Sequence, residues 1–169
     1  MARPSYDRAV HVRDATVEDA AACAALYAPY VRDTAISFEL EPPTAQEMAA
    51  RIAAAHVWLV AEEDCDVVGY AYAGEFKSRP AYARTCEVTV YLAQAATGRG
   101  GGRALYAELL PRLAACGFRV AIAIIALPNA ASEGLHRSLG FETVGVLRGV
   151  GFKHGAWHDV AYAQRTLLP

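Results

Sequence analysis

The sequence lacks the long apolar run that a membrane-spanning helix requires. Such a helix needs about 20 consecutive apolar residues, whereas the longest apolar stretch, residues 120–127, has the length of a strand. Residues 1–8 also lack the apolar core of a signal peptide. We therefore expect a cytoplasmic protein with no membrane partner.

Cysteine clusters and an excess of positive charge are absent as well. The chain has four cysteines and no C-x-x-C pair, which indicates small buried thiols in a reducing compartment rather than disulfides or zinc ligands. The 16 Lys and Arg residues against 18 Asp and Glu give a net charge of −2. This balance argues against nucleic acid as a partner, because nucleic-acid-binding domains are basic.

Internal repeats, linkers and low-complexity segments are missing too. The 169 residues, 54% of them hydrophobic, suit one domain spanning residues 1–169, which at this size buries about 70% of its unfolded surface. The chain is therefore long enough for one sizeable core, and we expect no second domain.

What the sequence does contain is a regular alternation of strand and helix signals. The predicted strands lie at residues 10–13, 56–61, 67–73, 87–92 and 120–127, with a short extended piece at 34–40 and a tail hairpin turning at 153–156. We expect the apolar strand at 120–127 to be buried on both faces.

Capping residues predict four helices between these strands. The helices begin near Thr16, Thr44, residue 104 and Asn129. Pro29 should end or kink the first helix. The order of elements predicts a mixed α/β domain with an antiparallel first half and a parallel middle.

One stretch joins a strand, a glycine loop and a helix. The strand at 87–92 is β-branched and aromatic, the loop at 97–103 reads Thr-Gly-Arg-Gly-Gly-Gly-Arg, and good helix formers follow. Glycines let the backbone approach a ligand, and free N–H groups at a helix start bind anions. We therefore predict a phosphate site, with Arg99 and Arg103 adding positive charge.

The glycine spacing distinguishes between phosphate-binding motifs. A Walker loop would end in Gly-Lys-Ser or Gly-Lys-Thr, and a dinucleotide fingerprint would place a third glycine where Arg103 stands. The alternate glycines Gly98, Gly100 and Gly102 instead resemble the Gln/Arg-x-x-Gly-x-Gly/Ala motif of the GNAT superfamily of acyl-CoA N-acyltransferases. Thr97 departs from that motif, because it stands where Gln or Arg is usual.

A second segment extends the resemblance. The superfamily motif Asn-x-x-Ala-x-x-Leu-Tyr, followed by Gly-Phe, is matched here by Asn129, Ser132, Leu135, His136, Gly140 and Phe141. Histidine in the tyrosine position is typical of the phosphinothricin and methionine sulfoximine N-acetyltransferases. Residues 76–82, 87–91 and 151–160 also resemble that branch, and the likeness runs from about Val10 to Leu167.

The resemblance implies a GNAT fold, with a mixed central sheet of about seven strands and about four helices. It also implies a homodimer and acetyl-CoA as the co-substrate. The implied CoA-binding residues are Val90, Tyr91, Leu92, Thr97, Gly98, Arg99, Gly100, Gly101, Gly102, Arg103, Asn129 and Ser132. Those of the strand lend backbone N–H groups to the acetyl oxygen and the pantetheine arm, and those of the loop hold the diphosphate.

Acetyl transfer to an amine needs a base more than a nucleophile, because a neutral amine attacks a thioester directly. Glu87 is the candidate base, and a carboxylate on an apolar strand should have a raised pKa. His136 is the second candidate catalytic residue. It titrates near neutrality and so suits an acid or a second base, while a lone helix histidine also suits a structural role.

Four residues are candidates for holding the amine substrate. Lys77 and Arg79 are cations suited to the anionic ends of an amino acid, and Tyr82 and Phe38 are candidate walls. The two histidines at 154 and 158 flank a turn with no third ligand nearby in sequence, so we expect no metal.

The expected function is transfer of the acetyl group of acetyl-CoA to the free amine of a small amino-acid analogue. Phosphinothricin and methionine sulfoximine are the analogues that the resemblance implies. A polyamine, an aminoglycoside or a protein N-terminus are alternative acceptors, although Lys77 and Arg79 would repel polycations. A CoA-binding sensor without turnover is the alternative from another class.

Overall fold

The structure, a computed structural model, describes residues 10–168. Within that range seven strands form one sheet, and four α-helices cover it. The strands are β1 (His11–Asp14), β2 (Val57–Glu63), β3 (Asp66–Glu75), β4 (Thr85–Leu92), β5 (Val120–Ala126), β6 (Glu142–Lys153) and β7 (Ala156–Thr166). The helices are α1 (Ala20–Asp33), α2 (Ala45–Ala54), α3 (Gly101–Ala115) and α4 (Ala130–Ser138). The expected strand and helix content is confirmed, and residues 1–8 lie outside the described range.

The sheet has the order β1-β2-β3-β4-β5-β7-β6, and only β4 and β5 pair in parallel. Their ladder covers three residue pairs and ends at Glu87 and Ile122, although β4 continues to Leu92 against β3. The two central strands therefore share backbone hydrogen bonds only near their starts. The prediction of an antiparallel first half and a parallel middle is confirmed.

Each face of the sheet has its own core. On one face α3 packs on β2, β3 and β4, and its Leu105, Leu109 and Leu113 are fully buried. On the other face α1 and α2 pack on Trp58 and Tyr70. Burial of one such leucine stabilises the fold by about 1.5–3 kcal/mol. Successive β4 side chains alternate between these two cores, so the strand connects them.

Four expectations about the elements were wrong in detail. Pro29 does not end α1, which continues to Asp33 because Tyr27 and Val31 remain buried on either side of the lost hydrogen bond, and a kink there stays a prediction. Residues 34–40 form bends rather than an extended piece, and α3 begins at Gly101, inside the predicted loop.

The fourth error concerns β5, which is not buried on both faces. Ile124 is 37% exposed because it borders a cavity.

None of the helices within residues 10–168 combines the length and apolarity needed to cross a membrane.

Candidate active site

A cavity of about 350 Å³ opens on the face of the sheet that α1 and α2 cover. Strand β4 contributes Glu87, Thr89 and Tyr91 to its lining, because every second residue of the strand points to this face. Residues 36–39, which follow α1, also line the cavity. The cavity therefore lies beside the point where β4 and β5 stop pairing.

Glu87 is half-buried in this cavity. Removal of the carboxylate from water raises its pKa, and burial is the sole cause of the shift. The expected direction of the shift is confirmed. A higher pKa makes the carboxylate a better proton acceptor near neutrality, which is the property of a general base.

Glu39 is a second carboxylate in the cavity, and sequence reasoning missed it. The Arg51 guanidinium donates to both of its oxygens, at 2.6 and 2.9 Å, and the Tyr27 hydroxyl donates to Oε1 at 3.0 Å. The hydrogen bond with Arg51 is the main reason that the pKa of Glu39 lies below its usual value. One cavity thus holds two carboxylates whose pKa values are shifted in opposite directions. In such a pattern the group with the lowered pKa stays charged, while the group with the raised pKa suits a proton acceptor.

Backbone donors face the gap between β4 and β5. The N–H of Ala93 bonds to Val68 of β3, and since donors alternate along an antiparallel strand, those of Val90 and Leu92 point toward β5. The Leu92 carbonyl also points away from β3, because it accepts a hydrogen bond from Tyr30 at 2.6 Å. By the same alternation the N–H of Tyr91 faces β3, and the Tyr91 ring lies 4.7 Å from that of Tyr27 in the cavity wall.

The glycines of the loop have two separate tasks. Gly98 and Gly100 have φ angles of 74° and 87°, a left-handed conformation in which a side chain is strained. Gly102 lies in the first turn of α3, where an added Cβ would sit 2.9 Å from the Leu135 side chain. The loop therefore brings the start of α3 close to α4 and leaves backbone N–H groups to bind an anion, as the diphosphate of CoA requires.

The other side chains of the loop bind neighbouring parts of the protein. Thr97 donates to the Gln94 carbonyl at 2.7 Å, and Arg103 donates to the Ser138 hydroxyl at 3.0 Å. Arg99 forms an ion pair with buried Glu63 at 3.2 Å. These contacts occupy the side chains, so the predicted anion site would depend on backbone N–H groups and the start of α3.

His136 lies on the opposite face of the sheet from Glu87. It is 4% exposed, and its Nε2 is 2.9 Å from the Tyr106 hydroxyl while its Nδ1 is 2.8 Å from the Ser132 carbonyl. A carbonyl only accepts, so we assign the proton to Nδ1 and the Tyr106 hydroxyl as donor to Nε2. Burial lowers the pKa of His136, which agrees with a neutral ring. The structure does not bring the two candidate catalytic residues together.

Asn129 and Ser132 stand at the start of α4, just after β5. The Asn129 side chain accepts from the Ser132 N–H at 3.1 Å, so it caps the helix as its sequence position indicates. The Ser132 hydroxyl lies 3.2 Å from Nδ1 of His136. Both residues therefore fix the helix end that adjoins the gap between β4 and β5.

Of the four candidate substrate residues, the structure places one at the cavity. Phe38 belongs to the described lining, whereas Lys77, Arg79 and Tyr82 lie in the loop between β3 and β4. The Lys77 ammonium lies 5.7 Å from the centre of the Tyr82 ring. This loop immediately precedes the strand that carries Glu87, so it lies at the same end of the sheet.

The two histidines of the tail hairpin lie at its turn. His158 contacts the Lys153 carbonyl at 3.1 Å, and His154 occupies the turn itself with a φ of 51°. Among residues 10–168, no three His, Cys, Asp or Glu side chains converge on a common point that suits a metal ion.

A mixed sheet whose central strands part beside a glycine loop and a helix start is the architecture of an acyltransferase that holds an acyl thioester between two strands. The chain belongs to the acetyltransferase (GNAT) domain family, whose sequence profile matches residues 12–161. It is an N-acetyltransferase that uses acetyl-CoA as co-substrate. The residues described above fit that co-substrate, because glycines and free N–H groups occur where a diphosphate and a thioester need them.

The chain is similar to several characterised acetyltransferases. It is 42% identical to the phosphinothricin N-acetyltransferase of Streptomyces viridochromogenes, over 94% of this chain and 88% of that protein. It is 37% identical to the L-methionine sulfoximine/L-methionine sulfone acetyltransferase of Pseudomonas paraeruginosa, over 94% and 95%. The crystal structure of a phosphinothricin acetyltransferase from Sinorhizobium meliloti in complex with acetyl-CoA superposes with a TM-score of 0.89, at 39% identity over 93% and 88%.

Proposed function

We propose that this enzyme acetylates the free amine of a small amino-acid analogue of the phosphinothricin or methionine sulfoximine type. The observation that carries the proposal is Glu87, a carboxylate of raised pKa in a cavity beside the parted strands. The names of the similar proteins support the choice of substrate class.

In the proposed reaction Glu87 accepts a proton from the substrate ammonium, directly or through a water. The neutral amine then attacks the thioester carbon and the C–N bond forms. The C–S bond breaks, CoA leaves as a thiolate, and the thiolate takes up the proton that the acylated nitrogen loses. The N–H groups of Val90 and Leu92 lie two residues apart along the strand, so one of them stabilises the negative charge on the acetyl oxygen and the other binds the pantetheine arm. A donor to the oxyanion is worth about 3–4 kcal/mol in the transition state. Gly98 to Arg103 hold the diphosphate, and Thr97 supports them from outside.

That His136 acts as a general acid or base stays a prediction. The contacts of its ring favour a positioning role instead. With Nδ1 bound to Ser132 and Nε2 bound to Tyr106, the ring fixes the start of α4. We propose that Asn129 and Ser132, on that same helix start, lie along the pantetheine arm. In this assignment His136 positions the CoA site rather than transferring a proton.

Lys77 and Arg79 are proposed to bind the anionic ends of the acceptor. The Arg79 side chain is exposed, and its guanidinium suits a forked contact with a carboxylate or phosphinate. Phe38 and Tyr82 provide apolar surface on either side. In this arrangement the ammonium lies in the cavity near Glu87 and the anionic groups lie toward the loop.

A cationic acceptor such as a polyamine is the second candidate. Its support is that the described cavity lining includes two carboxylates, Glu39 and Glu87, and no Lys or Arg, although Arg51 neutralises Glu39 from outside that lining. A zwitterionic amino-acid analogue also places its ammonium there, but it needs Lys77 and Arg79 in addition. Variants of these two residues therefore separate the candidates.

The test is CoA release, followed with a thiol reagent, when enzyme and acetyl-CoA meet a panel of amines. We expect turnover with phosphinothricin or methionine sulfoximine, and a rise in the acceptor KM for Arg79→Met. Turnover restricted to polyamines would move the proposal to the second candidate. Acetyl-CoA binding by calorimetry without release for any amine would indicate a CoA sensor instead.

We also propose that the chain is a single domain that works in the cytoplasm as a homodimer. Cys65 and Cys116 are exposed, so the expectation of buried thiols was wrong for these two, and free exposed thiols suit a reducing compartment. The tail hairpin exposes Phe152 and Trp157, at 58% and 69%, and exposed aromatic side chains are typical of interfaces. Light scattering should show a dimer that Trp157→Glu weakens, and a monomeric wild type would exclude the assembly.

A further inference from the structure

We propose that Lys153 is a positioning residue that holds one wall of the acceptor cavity in its working conformation. This wall, residues 34–39, is called the acceptor wall below. The inference rests on the proposed function only in naming the cavity as the acceptor site. The contacts themselves belong to the fold.

Lys153 is the last residue of β6 and only 5% exposed. Its Nζ donates to the Val31 carbonyl at 2.6 Å and to the Ser37 carbonyl at 2.7 Å. Val31 belongs to the last turn of α1, and Ser37 lies in the acceptor wall. One ammonium group therefore joins the end of a helix to the middle of the wall.

The acceptor wall depends on such side chains because it has no regular secondary structure. Its backbone polar groups must find partners outside a helix or sheet ladder. The Thr34 hydroxyl accepts from the N–H of Ile36 at 3.1 Å, and the Ser37 hydroxyl accepts from the N–H of Glu39 at 3.1 Å. Lys153 is the contribution from a distant element, 116 residues away in the chain.

The hairpin supports the same wall at a second point. The Phe38 ring packs so closely on Gly151 of β6 that a Cβ there would overlap it. Lys153 thus fixes the backbone of the wall, while Gly151 makes room for its aromatic side chain. Phe38 and Glu39 line the same cavity as Glu87, so a shift of the wall changes the space for the acceptor.

Burial of the Lys153 ammonium lowers the free energy of unfolding, which argues that its two hydrogen bonds serve the protein in another way. Burial removes the ammonium from water, and two carbonyl oxygens replace only part of that hydration. A methionine of similar length would fill the same volume without this cost. The two short hydrogen bonds are what a methionine cannot supply.

The expected effect is confined to the acceptor. The wall lies on the face of the sheet with α1, whereas the glycine loop packs against α4 through Gly102 and Leu135. A displaced wall should therefore raise the acceptor KM and leave acetyl-CoA binding unchanged. This split separates a positioning role from a general loss of structure.

Lys153→Met tests the inference, with Arg32→Met as the matched control. Arg32 is an exposed cation one residue after Val31, so its replacement changes charge without touching the wall. Hydrogen exchange of the Ile36 and Glu39 amides reports the wall directly. We expect exchange to quicken and the acceptor KM to rise about tenfold or more in Lys153→Met, because small misplacements cost large factors in rate. Acetyl-CoA affinity and all values for Arg32→Met should stay near wild type.

Unchanged exchange and acceptor KM in Lys153→Met would overturn the inference. Lys153→Gln, which retains two N–H donors on a shorter side chain, replaces that variant if it does not fold. Failure of both variants to fold, while Arg32→Met folds, would make Lys153 a folding residue and also overturn it. If wild type acetylates no amine, the proposed function fails, and the exchange measurement still tests the wall.

Discussion

The two faces of the central sheet offer different groups for the binding of ligands. On the face of α3 and α4, the proposed CoA site consists of backbone N–H groups, glycines and a helix start. On the face of α1 and α2, the cavity is built from side chains, with Glu87 and Glu39 among tyrosines. In the proposed mechanism one strand, β4, therefore supplies backbone donors along its edge and a base on its face.

This division has a physical reason. A diphosphate and a thioester oxygen are the same in every reaction cycle and only accept hydrogen bonds. Backbone N–H donors, whose positions are set by the local conformation, therefore suit them. An acceptor amine must be recognised and also deprotonated, which requires groups with adjustable pKa values. Glu87 and Glu39 show how burial and an arginine partner set such values in opposite directions.

Removal of the base should have the largest effect on the acceptor side. We expect Glu87→Gln to lower kcat about 100- to 10,000-fold, the usual contribution of a positioned base. Acetyl-CoA binding, measured by calorimetry, should stay near wild type because the carboxylate points to the other face. Near-normal turnover would remove Glu87 from the mechanism.

A backbone change in the glycine loop should affect the CoA side alone. Gly100→Ala places a side chain at a φ of 87°, which costs about 1–2 kcal/mol. We therefore expect roughly tenfold weaker acetyl-CoA binding with an unchanged acceptor KM. Gly134→Ala is the control, since this position in α4 has open space around an added Cβ. An equal loss of acetyl-CoA affinity in the two variants would mean that CoA binding does not depend on the loop conformation.

The smallest of these effects on rate is expected from the Tyr106–His136 pair. Tyr106→Phe leaves Nε2 of a buried histidine without its donor, which costs about 1–3 kcal/mol of unfolding free energy. Urea denaturation measures this loss. If His136 positions α4, kcat should fall only a few-fold while the KM for acetyl-CoA rises. A steep fall in kcat at unchanged KM would instead support proton transfer by His136.

The sequence predicts most of the CoA side and less of the acceptor side. The glycine loop, the Asn129 cap and strand β4 depend on residues that are close in the chain, so local patterns reveal them. Glu39 and Lys153 depend on contacts across the fold, with Arg51 and with the carbonyls of Val31 and Ser37. Spacing carries no signal for such contacts, because they arise only when α1, α2 and the tail hairpin pack together.

Two placements show the same limit at single residues. His136 was predicted beside the chemistry from its motif position, but the alternation of β4 puts Glu87 on the other face of the sheet. Ile124 was expected inside a strand buried on both faces, and it borders the cavity because residues 36–39 leave a gap there. The hydrophobic pattern predicts neither placement. It shows which residues are apolar, but it does not show which part of the fold covers each of them.

The pH dependence of kcat/KM tests the central claim most directly, because the claim is that Glu87 removes the proton from the amine. A carboxylate base works only when ionised, so the rate should fall as pH drops through the raised pKa of Glu87, above the usual 4.5. We predict that wild type shows an acidic limb that levels off above this pKa. Glu87→Gln should show no such limb, because its residual rate rises steadily with pH as the amine loses its proton. The same acidic limb in both proteins would contradict the claim.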